Sequence, residues 1–158
     1  MPAKRRQKLF REISGGRGGA KAFLLEPERL QRAQARLDAM APRALADMRE
    51  AIDRVLLEAE SKGSLDAIFK AAHDVRGLAG TFGLAGLGAI AGEIRTYGQG
   101  RGPDFEPDWP LLVSLARILS RALSRPGELP EAMIAAECHE AVSNAMKREG
   151  REAALGDA

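Results

Sequence analysis

The group best suited to chemistry in this 158-residue chain is a histidine among glycines, in the run Ala71-Ala72-His73-Asp74-Val75-Arg76-Gly77-Leu78-Ala79-Gly80-Thr81-Phe82-Gly83. An exposed imidazole is largely neutral near pH 7 and keeps one ring nitrogen free to attack an electrophile such as phosphorus. On a helical wheel, Ile68, Ala72, Val75, Ala79 and Phe82 share one arc, and His73 lies about 150° from its centre, on the solvent side. Gly77 follows one turn later, about 40° round from His73, and Gly80 two turns later, within about 20°. A mid-helix glycine costs about 1 kcal/mol relative to alanine, and core packing does not call for one on an outward stripe. Access does: bare backbone beside the imidazole lets a second protein reach it in line. Arg76 and Lys70 lie close enough in projection to offset acquired negative charge. Arg76, three residues on, is the better placed, although a wheel does not decide between them. Asp66 shares this side. Phe69, Gly80 and Leu84 are expected apolar parts of a docking face that Asp66, Lys70 and Arg76 would orient by charge.

The remaining reactive types carry less. Cys138 is the only cysteine, which excludes an intrachain disulfide and a C-x-x-C metal site. His139 follows it directly, and neighbouring helical positions diverge, so the two form no dyad; a structural or neutral role is expected for His139, and that of a small hydrophobe for Cys138. Trp109 reads as a core anchor at a helix start. No carboxylate cluster suggests a metal site, and no glycine-rich nucleotide loop is present, so autokinase activity is not expected.

The elements that must position His73 are helical. Apolar residues make up 45% of the chain but aromatics only 4%, leaving Ala and Leu, strong helix formers, to build the core. A helix is expected from Pro27, with Leu30, Ala33, Leu37 and Met40 at helical spacing; Pro42 then interrupts the pattern or begins a new helix. Leu45, Met48, Ile52, Val55 and Leu56 form the next stripe. One kinked helix and two separate helices both fit. Ser64 is expected to cap a helix over about 65–80, and a turn near 81–83 leads into another over about 84–97. A Gly- and Pro-rich loop follows. Asp108 caps a helix over about 109–124, and the last runs over about 130–149, with Met133, Ala136, Val142 and Met146 inward and Gly150 as its stop. Such stripes must pack together, which makes the fold an all-α bundle.

The net charge of +2 conceals an asymmetry: residues 1–25 carry +6 and the remainder −4. Residues 1–25, with Ser14-Gly15-Gly16-Arg17-Gly18-Gly19, read as a basic flexible arm, residues 26–150 as the bundle, and 151–158 as a flexible tail. The acidic body argues against a nucleic-acid-binding fold. No apolar run approaches the eighteen or so residues of a membrane span, and no secretory leader is apparent, so a cytoplasmic location is expected.

His73-Asp74-Val75-Arg76-Gly77, with Gly83 five residues after the Leu78 that follows, resembles the motif of histidine-containing phosphotransfer (HPt) domains: His, any residue, an apolar residue, Lys or Arg, Gly, and a second Gly. The closest similarity covers about residues 65–97, with helical context over about 27–149. The resemblance implies an up-down four-helix bundle with one or more additional N-terminal helices. It implies that His73 is the phosphoacceptor, on Nε2, that Arg76 stands in for the usual lysine in orienting and screening the phosphoryl group, that Gly77 gives the partner room, and that Gly83 shapes the turn. The implied partner is the receiver domain of a response regulator, or a hybrid sensor kinase, exchanging phosphate between its aspartate and His73. Mg²⁺ would belong to the receiver, with no cofactor on this chain and a monomer sufficing. Two alternatives stay open: a non-catalytic helical adaptor that binds a receiver or kinase, and a nucleic-acid-binding protein acting through the basic arm.

Overall fold

A computed structural model of the chain describes residues 27–125 and 130–151. The expected basic arm, residues 126–129 and residues 152–158 lie outside the described residues. Five helices are present and, among the described residues, no strand: α1 (Pro27–Glu60), α2 (Leu65–Thr81), α3 (Ala85–Tyr97), α4 (Trp109–Ser124) and α5 (Glu131–Arg148). The fold is all-α, an N-terminal helix and a four-helix bundle.

The chain divides into two units, Met1–Met40 and Ala41–Ala158. The described part of the first is the opening stretch of α1. Its surface carries short-range pairs, Arg32 with Glu28 at 3.4 Å and Gln34 with Asp38 at 2.8 Å. Leu30 and Met40, expected in a core stripe, are 51% and 60% exposed. A single helical segment has no second apolar face of its own to pack against.

α1 runs unbroken through Pro42, which decides between the two readings of its sequence in favour of one helix. In the second unit its buried face is Ala44, Met48, Ile52, Val55 and Ala59. Leu45, expected inward, is 45% exposed because it sits one residue, about 100°, off the Ala44–Met48 line. The turn into α2 is closed by Glu58, whose carboxylate accepts the Ser64 N–H at 2.7 Å, and Ser64 in turn caps α2 by accepting the Ala67 N–H at 3.2 Å.

α2 buries Ile68, Phe69, Ala71, Ala72, Val75 and Ala79, while Phe82 is half-buried. It ends in a Schellman turn: the Leu84 N–H bonds to the Ala79 carbonyl at 2.8 Å, with Gly83 between them at φ 74°. Gly150 closes α5 in the same way, with Arg151 N–H to Met146 O at 2.9 Å. The tight turn at Gly83 folds α3 back antiparallel to α2. A methyl at Gly88 would stand 3.5 Å from the Ala79 methyl, and one at Gly92 would stand 3.8 Å from the Arg76 side chain. α3 also packs on α4 and α5, and α4 on α5. Leu87, Ile90, Ile94, Leu112, Leu115, Leu119 and Val142 fill the shared core with Met48, Ile52 and Val55. In α5 the buried face is Cys138, Val142, Ala145 and Met146. Met133, expected inward, is 62% exposed, and Ala136 is also exposed, because the buried stripe begins further along the helix.

The loop between α3 and α4 is clamped at both ends. Asp108 caps α4 through the Leu111 N–H at 3.0 Å. The buried Tyr97 hydroxyl accepts the Asp108 N–H at 2.7 Å and donates to Glu149 Oε1 at 2.7 Å. Arg151 stacks on Tyr97 and Phe105, at 4.8 and 4.3 Å, and donates to the Tyr97 and Gln99 carbonyls at 2.7 and 3.1 Å.

Two outcomes are expected. Gly83→Ala forces a left-handed residue and should cost about 1–2 kcal/mol in urea unfolding. Burial is the main force pushing the Tyr97 hydroxyl from 10.0 up to about 12, opposed by the Asp108 N–H and aided by Glu149. The folded state thus holds that proton more tightly than the unfolded chain. Its contribution is whole below about pH 10 and is lost as the pH climbs through about 12. The denaturation midpoint should therefore fall over that window more steeply in the wild type than in Tyr97→Phe.

Candidate functional site

The face of α2 opposite its core stripe carries His73, Asp74, Gly77 and Gly80, and Arg76 flanks the stripe on the side of α3; all five are exposed. The same burial that places Ala72 and Val75 in the core turns the intervening His73 outward. A methyl group added at Gly77 or Gly80 would meet no atom within 4 Å. Neither glycine is required by packing, so what they provide is open surface beside the ring.

His73, Arg76, Gly77, Gly80 and Thr81 from α2, with Arg95 from α3, line an open cavity of about 480 Å³. The Thr81 hydroxyl donates to the Gly77 carbonyl at 3.1 Å, which ties down the helix end at the cavity wall. Lys70, the other candidate cation, is exposed on α2 but does not line the cavity. Arg95 and Thr81 were not among the residues singled out from the sequence. Arg95 was legible in principle: in an antiparallel pair, positions equally far from the turn come level, and His73 and Arg95 each stand eleven residues from Leu84.

The expected docking residues divide. Asp66 is exposed and paired with Arg101, whose guanidinium stacks 4.6 Å above the Phe69 ring and bonds to the Gly98 carbonyl at 3.2 Å. Phe69 does not belong to an exposed docking face. It is only 9% exposed, roofed by Arg101 and lying so near α3 that a methyl at Gly98 would stand 2.8 Å from its ring. Leu84 is half-buried and packs against the core. Gly83 is exposed and serves the turn.

Outside this cavity, His139 is exposed with Nδ1 3.1 Å from Glu93 Oε1. Cys138 is buried, and burial, with Glu93 and Glu137 adding to it, pushes its thiol up to about 11, leaving it un-ionised near neutral pH. Trp109 is half-buried against the core. Among the described residues no group of three His, Cys, Asp or Glu side chains could hold a metal ion. No described helix is long and apolar enough to cross a membrane.

Comparison with protein-family models matches residues 27–125 to the Hpt domain, a span that holds the whole cavity and ends before α5. No curated protein and no solved structure matches the chain.

The contrast among glycines is testable. Gly77→Ala and Gly80→Ala should each raise the unfolding free energy, by up to about 1 kcal/mol, because a helix former replaces glycine in open space. Gly98→Ala should lower it, since Phe69 must move. Urea unfolding of the three variants checks the signs.

Proposed function

This chain belongs to the Hpt domain family, and from that premise we propose that it relays a phosphoryl group between His73 and the aspartate of a response-regulator receiver domain. The observation that carries the reading is the exposed imidazole in a cavity shared with arginine and bare glycine backbone. In the uptake step, Nε2 of neutral His73 attacks the phosphorus of the receiver's aspartyl phosphate. The N–P bond forms as the P–O bond to the carboxylate breaks, and the aspartate leaves with the electron pair. The return step reverses this.

Each neighbour has a physical task in this reading. Arg76, on the cavity wall, offsets the negative charge of the phosphoryl group that the imidazole takes up. Gly77 and Gly80 leave room for the receiver's acidic pocket to approach in line. Exposed Asp66 and Lys70 help to orient the partner by charge. Mg²⁺ and the lysine that activate the aspartyl phosphate would belong to the receiver, and the chain would act as a monomeric cytoplasmic carrier that is regenerated at each cycle.

Incubation with phosphorylated receiver domains, followed by mapping of acid-labile phosphate, tests the relay. Label is expected on His73 and none in His73→Gln, which should stay folded because the ring is exposed. Arg76→Ala should slow transfer about tenfold or more with little change in stability. Gly77→Leu should depress transfer while leaving unfolding free energy the same or higher. Binding of receivers with no phosphate on His73 from any of them would instead mark the chain as an adaptor.

A further inference from the structure

We infer that the opening two heptads of α1 form a docking seam for an acidic amphipathic helix of a partner protein. Leu30, Ala33, Leu37 and Met40 follow one another at intervals of three, four and three residues. That alternation is what lets two helices interlock their side chains. All four residues lie in the first unit of the chain, whose described part is this one helical stretch, so the seam has no second helix within that unit. Leu30, Ala33 and Met40 are exposed and Leu37 is half-buried, whereas the fully buried face of α1 begins only at Ala44.

The two edges of the seam differ in charge. Arg29 and Arg36 immediately precede the two leucines, which is where residues flank such a seam, and Arg32 extends the same edge. At 100° per residue these three positions fall within about 60° of one another. All three are exposed, and the Arg32–Glu28 pair on that surface contributes little. The other edge is Gln31, Gln34 and Asp38, with the Gln34 amide donating to the Asp38 carboxylate at 2.8 Å. This asymmetry selects the occupant. A second copy would set arginine against arginine if antiparallel, and Arg29 against Gln34 if parallel, so self-pairing gains nothing at its flanks. Residues 1–25 carry +6 and would be repelled by the same edge. A planar anionic membrane would meet both edges at once, Asp38 included, and the seam offers it no aromatic side chain. A partner helix instead lays a different row along each edge. Aspartates or glutamates on one of its flanks meet Arg29 and Arg36, while its other flank lies beside Gln34. Two heptads span only about 20 Å, a length that suits a reversible contact.

The test titrates the full chain into two labelled synthetic peptides with leucine seams, one flanked by glutamate and one by lysine, and follows their fluorescence anisotropy. The glutamate peptide should bind saturably and the lysine peptide should not. Arg29→Glu combined with Arg36→Glu should weaken the glutamate peptide about tenfold or more and let the lysine peptide bind. Leu30→Asn, at an exposed position that leaves the bundle core untouched, should weaken the glutamate peptide to a similar extent. Urea unfolding of both variants should match wild type. No saturable binding of the glutamate peptide overturns the seam. Binding that Leu30→Asn leaves unchanged also overturns it, and assigns the attraction to the basic residues 1–25 alone. Dimers in sedimentation velocity that Leu30→Asn dissolves, in place of peptide binding, identify a second copy as the occupant and overturn the acidic partner. Co-sedimentation with phosphatidylserine vesicles in place of peptide binding identifies a lipid surface and overturns it equally.

Discussion

The rotation of α2 about its own axis governs everything else at the site. Ile68, Ala72, Val75 and Ala79 are each fully buried, and each side chain withdrawn from water resists any turn of the helix that would expose it. With that stripe held inward, His73 has no direction left but solvent. The position of one imidazole is thus set by apolar side chains that never touch it. A modest rotation would cost several buried contacts at once, so the ring is presented in one orientation without a dedicated hydrogen bond to hold it.

The glycines divide by what surrounds them, although they look alike in the sequence. Gly77 and Gly80 face open space, and their missing side chains serve whatever approaches from outside. At Gly86 and Gly98 a methyl would collide with Glu131 and with the Phe69 ring, so those positions serve helix and loop packing. Gly83 serves neither purpose. Its left-handed backbone lets α2 stop within one residue and α3 begin. Because this turn is so short, α2 and α3 run back along each other, and that return brings Arg95 to the level of His73.

The far end of the α2–α3 pair is held by a polar and aromatic clamp. Tyr97 receives the Asp108 N–H and donates to Glu149, while Arg151 covers the Tyr97 and Phe105 rings. These contacts join the end of α3, the start of α4 and the end of α5. On the other side of the same loop, Arg101 spans Gly98, Phe69 and Asp66. The Asp66 carboxylate is largely exposed, so the stacking and the close fit of Gly98 carry more of this contact than the ion pair does.

Much of this protein was legible from residue order alone. Helical periodicity, the Ser64 and Asp108 caps and the Gly83 and Gly150 stops marked four of the five helices to within a residue or two, because caps and stops act over a single turn of chain. The outward direction of His73 was legible for the same reason, since one helix's apolar stripe defines its opposite face. Periodicity did not say how deeply a stripe is buried. Leu45 and Met133 fit the apolar periodicity yet lie outside the buried faces, and Phe69 lies off the main stripe yet is buried under Arg101. Nor did it assemble the cavity. Arg95 lies 22 residues beyond His73 in sequence, and no local pattern reports a neighbour on another helix. Only the antiparallel closure of α2 on α3, which depends on long-range packing of both with the remaining bundle, brought Arg95 into the cavity that His73 lines.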